Sequence, residues 1–228
     1  LTDELGLEPI DSHAWSIVQD SLKDALSDPK GIRDGRESAL TLLVEGLILS
    51  GFAMQYARSS RVASGAEHQF SHLWNMEHHT FQGEAPSHGF QVGVATLAVT
   101  RLYEKMLEKP LEKLNVQDCC EKWPEWAEVE QKAVDMFQKT DFLETVLQQS
   151  KEKYISKKDL AVQLEQLKVI WPGLKERIKN QLMPSYQVEE NLVAVGAPVD
   201  PEQIGISKER MRNSFLRAWY IRSRFTVL

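Results

Sequence analysis

Cysteine is scarce in this 228-residue chain: Cys119 and Cys120 are the only two, and they are neighbours. A bridge between adjacent residues would close a small strained ring, so no disulfide framework holds the fold and a reducing compartment is expected. Positive charge is also in short supply. Lys and Arg number 27 against 33 Asp and Glu, the net charge is −6, and no dense basic run occurs. Neutralising a polynucleotide backbone needs a basic face, so nucleic acid is not an expected partner. Unbroken apolar runs are missing as well. The longest, Leu40–Ala57, is interrupted by Glu45, Gly46, Ser50, Gly51 and Gln55, which predicts a buried helix and no membrane span. No basic-then-apolar leader opens the chain, and the cytoplasm is the expected location. Alternation of strand type is confined to Asn191–Val195, and no glycine-rich loop follows a strand. The expectation is therefore an all-α helical bundle, a single domain over residues 1–228, long enough to bury a substantial core.

The helical segments follow from apolar spacing and from caps. Trp15, Val18, Leu22 and Leu26 recur at three- and four-residue steps over Ala14–Leu26, after Asp11-Ser12. Arg36–Arg58 is apolar on nearly all sides and is assigned to the core, with Gly46 and Gly51 read as close-packing positions. Ser64-Gly65 precedes a helix over Ala66–Met76, and His88-Gly89 opens another through Leu107. Trp123-Pro124-Glu125-Trp126 reads as a turn between Asp118 and two surface helices, Ala127–Gln138 and Phe142–Tyr154. Ser156 caps a helix to about Trp171, which Pro172-Gly173 kinks or ends before Leu174–Leu182. Val193–Gly205 reads as a loop, and Ser207 caps a last helix, Lys208–Phe225. Its Met211, Phe215, Trp219 and Ile221 face inward, and Lys208, Arg210, Arg212, Arg217, Arg222 and Arg224 stay mostly outside.

Histidine concentrates where the chemistry is expected. Five of the six lie between His68 and His88, a span of 21 residues. His68 and His72 are one helical turn apart on one face, and His88 opens the helix that returns from the loop, so the three can reach a common ligand. Read by spacing alone, they form a three-histidine zinc site with Glu67 as a nearby base, although Glu-His-x-x-x-His is not the H-E-x-x-H order. An isolated histidine is ordinarily a packed or solvated residue, and the crowding is what points to metal. His78 and His79 are adjacent, cannot share a helical face, and are assigned structural or exposed roles. Arg61, the Ser64-Gly65 turn and the following helix N-terminus together make a receptor for a phosphate or carboxylate.

The run Ser59-Ser60-Arg61-Val62-Ala63-Ser64-Gly65-Ala66-Glu67-His68-Gln69-Phe70-Ser71-His72, followed by Ser87-His88-Gly89-Phe90-Gln91-Val92-Gly93, closely resembles the sn-glycerol-1-phosphate dehydrogenases. These belong to the superfamily of iron-containing alcohol dehydrogenases, glycerol dehydrogenase and dehydroquinate synthase. Ile204-Gly205-Ile206 and Arg222–Leu228 resemble the family's last segments, and Val62 departs from a usual proline. The resemblance implies a divalent metal, zinc or nickel or else iron, held by His68, His88 and an aspartate. That aspartate lies, in the family, before the part matched here, and Asp3, Glu4, Glu8 and Asp11 do not sit in its motif. The resemblance further implies a proton-transfer or substrate-orienting role for His72, phosphate contacts for Arg61 with Ser64 and Gly65, and NAD or NADP on an N-terminal nucleotide-binding domain absent from this chain. It thus implies the C-terminal metal-binding domain of a dehydroquinate synthase-like fold, inactive alone. Its partners would be that missing N-terminal domain, a phosphorylated small-molecule substrate and, as a homo-oligomer, further copies of itself. The implied reaction is reduction of dihydroxyacetone phosphate to sn-glycerol 1-phosphate. The alternatives are another polyol dehydrogenase or dehydroquinate-synthase-like enzyme on the same scaffold, or a non-catalytic helical metal-binding module.

Overall fold

The computed structural model describes residues 3–228. Eleven helices follow one another: α1 Ser12–Ala25, α2 Pro29–Arg33, α3 Glu37–Tyr56, α4 Ala66–Met76, α5 His88–Leu107, α6 Val116–Lys122, α7 Trp126–Phe137, α8 Leu143–Lys153, α9 Lys157–Gln181, α10 Ser185–Val195 and α11 Lys208–Tyr220. Short 3-10 turns lie at Ser60–Ala63, Leu111–Lys113 and Pro201–Ile204. Among the described residues the only strand-like pairing is an isolated bridge between Phe81 and Glu84. The all-α expectation holds.

Helix starts are set by side-chain oxygens that accept first-turn amides: Asp11 for α1, Ser87 for α5, Ser156 for α9 and Ser207 for α11. The main core is built on α4, whose Phe70, Leu73 and Trp74 are wholly buried against Val94 and Ala95 of α5, Phe137 of α7 and Val146 of α8. Burying each such large apolar side chain contributes about 1.5–3 kcal/mol. Trp74 keeps its indole N–H satisfied by donating to Ser214 Oγ at 2.9 Å. A smaller core joins Leu107 to Trp171 and Leu174 of α9. Helix α9 continues through Pro172 to Gln181, so of the two expectations, a kink or an end, the end does not occur.

Three further expectations are corrected. Asn191–Val195 is the last part of helix α10, not a strand. Glu104 takes both the amide and the hydroxyl of Ser185 at 2.7 Å, fixing the first turn, and Gly196 ends the helix in the left-handed conformation. Arg210 and Arg217 are not free on the surface: they grip Glu77 from Nη2 and Nε at 2.9 Å, and Arg217 also lies 4.2 Å over the Phe137 ring. The last helix stops at Tyr220, leaving 221–228 as a tail without regular secondary structure. The cause lies on α8, where Ser150 Oγ donates to Tyr220 O at 3.3 Å, Lys153 Nζ donates to Arg222 O at 2.9 Å, and Gln149 Oε1 accepts from Ser223 N at 2.9 Å.

The assignment of α3 to the core is also overturned. It packs on α1 through small residues, with Ala39 and Ala53 buried and Gly46 so close to Ala25 that an added Cβ would lie 2.7 Å from the alanine methyl. For the same reason α1 buries Ala14 and Ala25, while Trp15 and Leu22, expected inside, are exposed. The opposite side of α3 has no neighbour among the described residues: Leu47 is 64% and Phe52 58% exposed, with Leu40, Val44, Ile48 and Tyr56 along the same strip. Gly51 lies in open space and serves no packing contact. By length and composition alone, with mean hydropathy 1.4, α3 meets the requirement for a membrane crossing, which the broken-run reading did not anticipate.

Candidate metal centre

Helix α4 is fixed in the core by Phe70, Leu73 and Trp74, so its other face carries His68, Ser71 and His72 toward the start of α5. Ser87 caps α5 by accepting from Phe90 N at 3.2 Å and sets His88 on its first turn. The three histidines come together, as their spacing predicted. Ring centroids are 5.3 Å apart for His68 and His88, 6.5 Å for His68 and His72, and 6.4 Å for His72 and His88.

Those separations sort the three rings. Two imidazoles on one tetrahedral ion, each with a metal–nitrogen bond of about 2.1 Å, place their centroids about 3.2 Å from the ion and about 5.2 Å from one another. The His68–His88 pair matches that spacing. His72 stands at about the limit of 6.4 Å that two ligands reach only on opposite sides of the ion, so the three-histidine site of the spacing argument is not formed. Among the described residues no group of three or more His, Cys, Asp or Glu is placed to hold a metal.

Hydrogen-bond accounting fixes the tautomers of the pair. His68 Nδ1 faces Glu67 Oε1 at 2.7 Å, and a carboxylate can only accept, so Nδ1 carries the proton. For His88 the argument runs through Gln91, which is 1% exposed. Its Nε2 spends both hydrogens, on Asn75 Oδ1 at 3.0 Å and on Pro86 O at 2.9 Å. Its Oε1 then accepts the single hydroxyl hydrogen of Ser71 at 3.1 Å. Ser71 Oγ, 2.8 Å from His88 Nδ1, is left as acceptor, and His88 too is protonated on Nδ1. In the neutral form both rings therefore carry their lone pair on Nε2, the tautomer in which histidine ligates metal while its other nitrogen is oriented by a hydrogen bond. The residues fit a metal held by two protein ligands.

Glu67 is occupied as an orienting group. Burial pushes its carboxyl upward, but hydrogen bonds from His68 and from the backbone amides of Glu67 and Gly65 outweigh it and hold the pKa below the ordinary value. The Gly65 amide reaches Glu67 Oε1 at 2.7 Å, so this N–H is not open to an anion as the turn-receptor reading supposed. His72 is held below the usual histidine range by burial first, then by the positive charge of Arg222, the neighbouring His68 and His88, and Arg224. It is therefore neutral at pH 7. Of the remaining pair, His79 is buried and structural, donating from Nε2 to Ile204 O at 2.8 Å and accepting from Arg210 at Nδ1, while His78 is exposed.

At the Ser64-Gly65 turn that leads into α4 lies a cavity of about 290 Å³ whose walls include Trp15, Glu8, Arg61, Ser64, Gly65 and Arg224, and none of the three histidines lines it. Arg61 lines it as expected and forms an ion pair with Glu8. Arg224, which the sequence reading left outside on a helix, donates to Ser60 Oγ at 3.0 Å and to Ser64 O at 3.4 Å. Ser71 and Gln91 were also passed over, although each is three positions from a histidine on the same helical face, which is a readable signal.

Comparison with known proteins adds named relatives. Over 222 residues the chain is 26% identical to the glycerol-1-phosphate dehydrogenase (NAD(P)+) of Geobacillus stearothermophilus, covering 97% of this chain and 45% of that protein. It is 35% identical over 108 residues to the Halalkalibacterium halodurans protein of the same name, covering 47% of this chain and 27% of the relative. Against that of Korarchaeum cryptofilum it is 36% identical over 114 residues, covering 50% and 36%. No protein-family model and no solved structure matches the chain. The chain spans less than half the length of these relatives. Its sequence is similar to proteins named glycerol-1-phosphate dehydrogenase, an oxidoreductase family, along nearly all of its length at 26% identity and along about half of it at 35–36%.

Proposed function

We propose that this chain is the helical metal- and substrate-binding part of an NAD(P)-linked glycerol-1-phosphate dehydrogenase, which reduces dihydroxyacetone phosphate to sn-glycerol 1-phosphate. The observation that carries the reading is the His68–His88 pair, at ligand spacing and in one tautomer, with the turn that leads into the helix of His68 lining a cavity together with Arg61 and Arg224. His68 and His88 would hold a divalent ion, zinc or nickel or iron, through Nε2, oriented by Glu67 and by Ser71 with Gln91. When bound, such an ion polarises the carbonyl of a ketone substrate. Arg61 would take the phosphate end with guanidinium donors not spent on Glu8, helped by the Ser64 side of the turn. His72, neutral and more than 6 Å from either partner ring, orients substrate or passes a proton at a substrate oxygen. A further ligand and the nicotinamide site would come from sequence outside these 228 residues, as the greater length of the relatives allows. The location in this reading is the cytoplasm.

Metal content decides it. Wild type, His68→Ala and His88→Ala are loaded with zinc or nickel, desalted and assayed for bound metal. Wild type should retain metal weakly, as expected of two ligands, and both variants should lose it. Equal content in all three removes the metal centre, and with it the proposed activity. Turnover of dihydroxyacetone phosphate with NADH by the 228-residue chain alone would overturn the further claim that it needs a second domain.

A further inference from the structure

The tail after α11 is held by side chains rather than by its own helix. From α8, Gln149, Ser150 and Lys153 bind three backbone groups within four residues, Ser223 N, Tyr220 O and Arg222 O. Beyond them Arg224 reaches the Ser60–Ala63 turn, and Thr226 Oγ1 donates to Gln69 Oε1 at 3.3 Å. Gln69 is 2% exposed, and its Nε2 is a buried side-chain donor without a partner among the described residues. The outcome is a crowding of like charge. Arg224 is held below the ordinary arginine value by burial and by the neighbouring charges of Arg61 and Arg222, with Glu8 opposing them. Arg222 and Arg224 in turn depress His72. In a chain of net charge −6, three guanidinium groups close together with Glu8 as the opposing carboxylate are a local positive excess that a bound anion would offset.

We propose that the tail forms the second wall of an anion site, in which Arg222 and Arg224 join Arg61 to bind a phosphate dianion, and that Gln149 and Lys153 hold that wall in position. This rests on the phosphate reading above and adds two binding residues and two positioning residues to it. Arg224 lines the same cavity as Arg61 from the opposite end of the chain, and Arg222, exposed and outside that lining, is near enough for its charge to act on Arg224. Three guanidiniums can divide a phosphate's three acceptor oxygens between them, which one arginine paired to Glu8 cannot.

The test is titration calorimetry on the zinc-loaded chain with inorganic phosphate, sn-glycerol 1-phosphate and, as the uncharged control, glycerol. Arg222→Gln and Arg224→Gln should each weaken both phosphates by about tenfold or more, with glycerol failing to bind throughout. Tighter binding of the ester than of free phosphate identifies a substrate site, and the reverse order identifies a site for the free ion. Gln149→Ala should weaken phosphate several-fold with zinc retention unchanged, a split that general unfolding would not produce. Arg222 is exposed, so its variant keeps the fold, and Arg224→Lys, retaining the charge, should lie between wild type and Gln. Unchanged phosphate affinity in both arginine variants, with Arg61→Gln still weakened, overturns the tail's role and leaves the phosphate reading intact. No phosphate binding by the zinc-loaded wild type overturns both.

Discussion

Replacing Ser71 by alanine separates orientation of a ligand from stability of the fold. The hydroxyl has two duties: it donates to Gln91 Oε1 at 3.1 Å and accepts the Nδ1 proton of His88 at 2.8 Å. Without it, Gln91 Oε1 is a buried acceptor with no donor, at a cost of about 1–3 kcal/mol. For a domain of this size that lowers Tm by about 2–10 °C. His88 meanwhile loses the bond that selects its tautomer and holds its ring, and loss of such a partner weakens metal affinity by about 10–100-fold. The control is Ser214→Ala, which strands the Trp74 indole N–H in the same core but touches no histidine ligand. Calorimetric zinc titration and thermal melts are run on wild type and both variants. Similar losses of Tm are expected in the two, with weakened zinc binding in Ser71→Ala alone. Zinc affinity within twofold of wild type in Ser71→Ala, alongside the expected fall in Tm, would refute the tautomer argument.

Glu77→Ala leaves Arg210 and Arg217 without the carboxylate they share in a mostly buried setting, and urea melts should show a loss of about 3 kcal/mol. Lys153 gives a pH signature: burial brings its pKa down to about 7. The unfolded chain keeps that proton up to about pH 10.4, so this group's penalty is full below pH 7 and fades as pH rises through the window between the two values. In guanidinium melts the stability of Lys153→Met relative to wild type should fall steadily from pH 7 to 10, and a constant difference would contradict the assignment. On α3, Phe52→Ser should change stability by no more than about 0.5 kcal/mol because the ring is already in water, whereas Trp171→Ala should cost about 3–5 kcal/mol. Parity between those two in a chemical melt would place α3 in the core after all.

Helix content and the meeting of His68, His72 and His88 were legible because both follow from local spacing and caps. Spacing alone did not single out the two rings at ligand separation, which depends on how α4 and α5 pack; the resemblance pointed to His68 and His88. The partners that fix the His88 tautomer lie 17 and 20 positions apart along the chain, beyond any periodic pattern. The end of α11 was misplaced by five residues for a similar reason: its last carbonyl is taken by Ser150, 70 positions earlier. Asn191–Val195 shows how weak a short alternation is against a cap such as Glu104 on Ser185. Apolar composition on all sides of α3 was read as depth in the core, but composition states what a helix tolerates and its neighbours decide what is buried.

The bare strip of α3 also governs how the molecule behaves in concentrated salt. Sulfate is excluded from protein surfaces and raises the cost of keeping hydrocarbon in water, and here that hydrocarbon is gathered along one helix. Ammonium sulfate should therefore bring the chain out of solution sooner than its net charge suggests. On a phenyl matrix one substitution, Leu47→Glu, should be enough to advance its elution.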